Sequence, residues 1–172
     1  MGLFDLFRRR ESAQPDTTAW WRSANALATE PTIDGIAALR ASIVSDEDAP
    51  DVADAQREMV EGLDALLAAS ASPVPVVNTQ HRVIGADTCH YLTPASLADQ
   101  VDGGGKLFVT SARMVYASGG VQAWPWHLIA RVHRLERDLV VALKGRPPVR
   151  LRLNTYEDAL VVCALAARLR RS

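Results

Sequence analysis

Cysteine is nearly absent. Cys89 and Cys163 are the only two in 172 residues, too few and too isolated to build a disulfide framework. Metal-ligand spacing is missing too: there is no C-x-x-C and no H-x-x-x-H. His81, Cys89 and His90 lie close in sequence, but neighbours on a strand point to opposite faces, so Cys89 and His90 cannot both turn to one ion. No metal or cofactor is expected. Long hydrophobic runs are lacking, since none approaches the ~20 apolar residues that span a bilayer. Met1–Arg10 places its basic residues after its apolar ones, the reverse of a secretory signal. Reduced thiols and a cytoplasmic location are expected. Catalytic signatures are missing as well: there is no G-x-S-x-G elbow and no Walker-type loop. Gly103-Gly104-Gly105-Lys106 lacks the Ser or Thr of such a loop and precedes a strand rather than a helix, so a turn is expected there. The expectation is that the chain is not an enzyme.

The net charge of −1 hides an asymmetry. Residues 1–79 carry 6 Arg and Lys against 13 Asp and Glu, a balance of −7, whereas residues 80–172 carry 13 against 7, a balance of +6. Two modules with different surfaces follow from this split. The basic half either attracts the acidic half or faces another anionic partner.

The first module is helical. Gly2–Arg10, GLFDLFRRR, groups Leu3, Leu6 and Phe7 on one helical face ahead of three arginines. Leu3, Phe4, Phe7, Arg8, Arg9 and Arg10 are therefore a candidate membrane or partner contact. The alternative is a short terminus docked on its own domain. Leu6 breaks the N-myristoylation pattern that Gly2 begins. Helices are then predicted near 16–28, 32–44 and 51–69, with Asp16 or Thr17 and Thr32 as caps. Val52, Ala55, Met59, Leu63, Leu66 and Leu67 recur at helical spacing in the third. The last two helices are expected to form an antiparallel hairpin. The segment AASASPVP at 68–75 is the expected boundary between a helical region, 16–70, and a second domain, 76–171.

The second module is read as strands. Apolar runs of strand length occupy Val76–Ile84 and Thr88–Leu92, and a glycine-rich turn covers Asp99–Gly104. Gly105–Val132 holds short runs punctuated by Ser111-Ala112 and Ser118-Gly119-Gly120, the pattern of a small antiparallel sheet or barrel. Asp138–Leu143 and Val149–Leu153 follow, and in the latter Arg150 and Arg152 alternate with three aliphatics. A helix over 155–170 closes the chain, with Asn154 or Thr155 as cap and Glu157 or Asp158 in the matching capping position.

The motif G-x-L-F-V-T-x-x-R-M-V-Y at Gly105–Tyr116, the W-P-W-H-L-I-A-R-V run at Trp124–Val132, and the later strands with their terminal helix resemble the pleckstrin-homology superfold, in particular its GRAM-like and bacterial members. The resemblance covers about residues 76–171. It implies a small antiparallel barrel capped by a C-terminal helix; the helical first half is not part of the resemblance, and the two together make an α+β chain. It also implies binding of phosphoinositides, other lipids or peptides rather than catalysis. The K-x-n-R-x-R pattern that lipid-binding members often carry in the first hairpin is missing: Arg82 is the only cation between Pro75 and Gly105.

Arg131, Arg134, Arg137, Lys144, Arg146, Arg150 and Arg152 make the basic group of the second half, and Lys144, Arg146, Arg150 and Arg152 form one candidate face if the last two strands pair. Trp124 and Trp126 are a candidate aromatic anchor, with one of them plugging the barrel. The expected function is a non-catalytic adaptor that binds a protein partner or a second copy of the chain. The alternative is a peripheral membrane protein that reads anionic lipid through its N-terminal segment and basic face. Arginines on a strand without interleaved aromatics make a weak case for nucleic acid.

Overall fold

The computed structural model describes residues 16–99 and 104–171. The N-terminal candidate contact, Leu3, Phe4, Phe7 and Arg8 to Arg10, lies outside the described residues. The chain divides into two compact units, Met1–Val60 and Glu61–Ser172. The division falls inside a helix, earlier in the chain than the proline-bearing segment 68–75.

In the first unit α1 spans Thr18–Leu27 and α2 spans Ile33–Ala41, and α3, Pro50–Ala71, starts there. Each start has a local cause. The Asp16 carboxylate accepts from the Thr18 amide at 3.0 Å, and the Thr32 hydroxyl accepts from the Gly35 amide at 3.2 Å, which satisfies amides with no partner inside the helix. Pro50 opens α3, where its fixed φ and missing N–H cost nothing. Trp20 is buried, packs edge-on against Trp21 at 4.9 Å, and donates its indole N–H to the Leu39 carbonyl at 3.2 Å. That bond ties α1 to the end of α2. The inward residues of α3 include Ala53, Gln56, Met59, Leu63 and Leu66. Gln56 is the surprise, a polar residue inside an apolar stripe. Its Oε1 accepts from the Val44 amide at 2.9 Å and holds the α2–α3 link. Arg57 is ion-paired with Asp46 of that link and with Asp54, the latter at 2.7 Å.

The second unit is a seven-stranded antiparallel sheet with a C-terminal helix, the arrangement that the pleckstrin-homology resemblance implies. Its strands are β1 (Cys89–Leu97), β2 (Gly104–Thr110), β3 (Arg113–Ser118), β4 (Gly120–Pro125), β5 (Ile129–Leu135), β6 (Asp138–Leu143) and β7 (Val149–Leu153), and α4 is Tyr156–Leu169. Their order in the sheet is β4-β3-β2-β1-β7-β6-β5. The long β1 bridges the two halves, pairing with β2 along Cys89–Ser96 and with β7 over Ala95–Leu97. Alternation sends Leu107, Val109, Met114, Tyr116, Leu139, Val141, Leu151 and Leu153 into one core, closed by Ala159, Val162 and Leu165 of α4. Gly105 is required in β2: a Cβ there would lie 2.4 Å from the Ala117 carbonyl and 2.9 Å from the Tyr116 ring.

The run Val76–Ile84 is not a strand. It forms one ladder-like bond, Val77 amide to Cys89 carbonyl at 2.8 Å, and ends in a 3-10 turn at Arg82–Ile84. Its apolar residues cover the outer face of the sheet. Ile84 buries against Cys89, Phe108 and Val115, with Val77 and Val83 packed beside them. This second core is why β2 is buried on both faces at Leu107–Thr110. Apolar content alone does not separate such a cover from a strand, because both need apolar side chains at strand-like density. Asp87 locks the cover to the β2–β3 link, accepting from Arg113 Nε at 2.8 Å and from the Thr110 hydroxyl at 3.2 Å.

Candidate binding cleft

The β6–β7 pairing sets Asp138 opposite Arg152 and Val140 opposite Arg150. The side chain of Asp138 is only 9% exposed, while those of Arg150 and Arg152 are 48% and 64% exposed. A carboxylate so enclosed needs cationic or hydrogen-bonding partners to remain charged. Arg150 Nε donates to it at 2.6 Å and Arg152 Nε stands 3.6 Å from its other oxygen. Both contacts use Nε, which leaves the terminal nitrogens of two partly solvated guanidiniums for a further acceptor.

The β5–β6 turn brings two more arginines. Leu135 pairs with Asp138, so Glu136 and Arg137 form a two-residue turn. Such turns favour a positive φ at the first central residue, and Glu136 takes it, at φ 55. No glycine relieves the cost there. The Glu136 carbonyl accepts from Arg134 Nη1 at 2.9 Å. Tyr156, the first residue of α4, lies beneath both arginines: the Arg134 guanidinium carbon is 5.7 Å and that of Arg137 is 5.1 Å from its ring centroid, within cation–π range. Burial pulls the Arg134 pKa down, against the opposing pull of nearby acidic groups.

Together these groups line an open cleft of about 410 Å³ formed by Glu136, Arg137, Asp138, Arg150, Arg152, Leu153 and Tyr156. Its helical wall is firmly set. The Thr155 hydroxyl caps α4 by accepting from the Asp158 amide at 3.1 Å, and it donates to the Asp158 carboxylate at 2.8 Å. Tyr91 of β1 donates to the same carboxylate at 3.0 Å. Burial, then the neighbouring charge of Asp158, raises the Tyr91 phenol pKa and keeps it a donor.

The last two strands pair, as the expected basic face requires. Lys144 and Arg146 occupy the exposed β6–β7 turn, six residues along from Asp138, or about 20 Å at ~3.3 Å per residue. Arg150 and Arg152, on β7, direct their guanidiniums to Asp138 at the start of β6. Asp138 and Tyr156 were not among the expected site residues. Hairpin register is the signal that reveals Asp138: pairing Val141 with Val149 across the turn sets it opposite Arg152.

Of the two tryptophans of the expected aromatic anchor, one plugs the core. Trp124 faces the core opposite Met114. Trp126 is half-buried and donates its indole N–H to the Thr110 carbonyl at 3.0 Å. β4 ends at Pro125 and Trp126 opens a 3-10 turn, so strand alternation does not carry across the proline. His81 packs against Phe108 at 4.8 Å, His90 Nδ1 meets the Pro75 carbonyl at 2.6 Å, and the Cys89 thiol donates to the Tyr91 carbonyl at 3.3 Å. Among the described residues, no three His, Cys, Asp or Glu side chains gather as a metal site, and no helix is long and apolar enough to cross a membrane.

No family model and no curated protein sequence matches the chain. Similar solved structures include the linker-DH/PH domains of p115-RhoGEF, 7% identical over 90% of this chain and 55% of that one, TM-score 0.42. The DH/PH domains of p115-RhoGEF are 10% identical over 91% and 56%, TM-score 0.44. The PDZ-RhoGEF DH/PH domains in complex with GTP-γ-S-activated RhoA are 10% identical over 90% and 54%, TM-score 0.39. This chain spans about half the length of the chains it matches. Likeness at this level says nothing about what this chain binds.

Proposed function

We propose that the chain is a non-catalytic binding protein, an adaptor whose pleckstrin-homology-like barrel holds a protein partner at the arginine-lined cleft. The observation that carries this is the convergence of Arg137, Arg150 and Arg152 around Asp138 and Tyr156. Guanidiniums held by neighbours lose less freedom on binding than free side chains do. No Ser, Cys, His or Lys lines the cleft, and Asp138 is engaged by two arginines, which suits recognition better than proton transfer. A place among GRAM-like or bacterial members of the superfold rests on the Gly105–Tyr116 and Trp124–Val132 motifs. The test is capture of a partner from native lysate by the full chain and by R150Q/R152Q. A partner held by the wild type and released by the variant supports the adaptor function; identical capture by both refutes it at this cleft.

A second function is favoured at the other end of the hairpin. Leu128 is exposed, its carbonyl accepts from the Lys144 amide at 2.9 Å, and Arg146 lies in the same turn. An apolar residue beside basic ones suits an anionic membrane surface, where each cation contributes about 1 kcal/mol. Flotation with phosphatidylserine vesicles tests this. Recovery equal to that on neutral vesicles, unchanged in K144E/R146E, sinks it.

A further inference from the structure

We propose that the outer edge of β4 pairs antiparallel with the β4 edge of a second copy of this chain, so that two sheets become one. The surface is distinct from the arginine-lined cleft, and the proposal goes beyond the function assigned to that cleft. β4 ends the sheet and, among the described residues, pairs only with β3. Its Gly120, Val121, Gln122 and Ala123 are exposed. The backbone N–H and C=O groups that point away from β3 are therefore left for water or for another strand.

The two ends of the sheet differ. Natural sheets protect an edge with charge, a bulge or proline. β5 is protected: its pairing with β6 shifts register between Ile129 and Arg131, it carries Arg131 and Arg134, and α4 packs beside it. β4 pairs with β3 without a shift, from Arg113 opposite Pro125 to Ser118 opposite Gly120. Gly120–Pro125 holds no charged residue, and its one protecting feature is the terminal proline. Val121 is 57% exposed. It stands opposite Ala117, as Ala123 stands opposite Val115, and opposed residues share a face. Val115 and Ala117 belong to the outer core around Phe108. Val121 and Ala123 therefore carry that apolar face out to the edge, where it is exposed.

A second copy is the occupant that this edge fits. In a two-fold pairing the same patch meets itself, so a charged edge repels its own copy and a neutral one does not. Antiparallel pairing centred on Gln122 sets Val121 opposite Ala123 of the other copy, twice over, and joins the two outer apolar faces. Trp124, whose ring is turned into the core, meets Gly120, which has no side chain to disturb it. Pro125 has no N–H to donate. It falls outside the paired stretch 120–124, opposite the turn at Gly119, where φ is 58.

The test is sedimentation velocity on the full chain over a concentration series, with circular dichroism to check the fold of each variant. One short strand pair is a small interface, and small interfaces associate weakly. The average mass is expected to climb from 18.7 kDa toward twice that as concentration rises. V121E should abolish the climb. V121E/A123K should restore it, since each glutamate then faces a lysine of the other copy, and added salt should weaken the restored pair. Q122C should cross-link on oxidation, because opposed Cα atoms about 4.5–5.5 Å apart lie within disulfide range, and it should do so to a greater extent than K144C on the exposed β6–β7 turn. The mass of a single chain at every concentration overturns the proposal. So does association that V121E leaves unchanged, failure of V121E/A123K to restore it, or Q122C cross-linking no better than K144C. Association lost in R150Q/R152Q and kept in V121E overturns it in favour of the cleft. A monomeric chain that captures another protein through Val121 overturns the second copy in favour of an extended segment of that protein.

Discussion

Replacing Gly62 by alanine sets two effects of known size against each other. Gly62 lies in the part of α3 that belongs to the second unit, and it is buried. Inside a helix, alanine is better than glycine by about 1 kcal/mol, so propensity alone makes Gly62→Ala stabilising. A Cβ at this position, however, would stand 2.9 Å from the Glu157 amide nitrogen, 3.1 Å from the Glu157 Cα and 3.0 Å from a Leu160 methyl. Two of these atoms are backbone in the first turn of α4 and cannot rotate away. Overpacking of this kind costs about 1–3 kcal/mol, so the net expectation is a loss of about 1 kcal/mol. The displaced turn carries the Thr155–Asp158 cap and Tyr156 of the cleft, so amides of that turn should exchange faster with solvent. Urea denaturation of the wild type, G62A, L160A and the double variant is the assay. Since the overlap is with backbone, truncating Leu160 should not rescue G62A, and the double variant should lie near the sum of the singles. A stabilised G62A refutes the close approach. A strongly favourable coupling with L160A shows that the side chain, not the Glu157 backbone, was the obstacle.

Three further expectations concern other parts of the chain. Phe108→Ala removes the centre of the second core and should cost about 3–5 kcal/mol; limited proteolysis should then cut within 76–86, whereas unchanged protease resistance would show that the cover does not depend on that ring. Burial pushes the Cys163 thiol up to about 12 from an ordinary 9.0. The unfolded chain therefore ionises first, and this contribution is full below pH 9.0 and is lost as the pH rises toward 12. Near pH 10.5 the loss should be about 2 kcal/mol, and stability measured from pH 8 to 10.5 should fall less steeply in C163A; parallel curves refute the assignment. Trp20→Phe keeps an aromatic side chain but deletes the indole N–H that reaches the Leu39 carbonyl and part of the buried ring, with an expected loss of at least about 1–2 kcal/mol, read by chemical denaturation of the full chain followed by far-UV circular dichroism; unchanged stability refutes a contribution from that bond.

The types of the elements, and several of their ends, were determined by the sequence alone. The Thr32 and Thr155 hydroxyls, Pro50 at the start of α3 and the alternation in Val149–Leu153 act within a few residues, and such effects are readable wherever the chain goes. Even the tight Ser111-Ala112 link is a local matter, with the Thr110 hydroxyl accepting from the Ala112 and Arg113 amides at 3.3 and 3.1 Å. Tertiary structure decided the rest, because it depends on which residues meet across the sheet. Val76–Ile84 is a cover rather than a strand because the outer face of β2 and β3 needed apolar atoms, a need that no local pattern reports. Trp124 is inward because β4 pairs with β3 in a register that sets it opposite Met114. Arg137, Arg150 and Arg152, separate in sequence, became one cleft only when the β5–β6 turn, the pairing of Asp138 with Arg152 and the capped start of α4 placed them around one carboxylate and one ring. Charge composition sets how much positive potential the second half carries, whereas register sets where it is concentrated, since the Coulomb interaction depends on distance in space and not on separation along the chain.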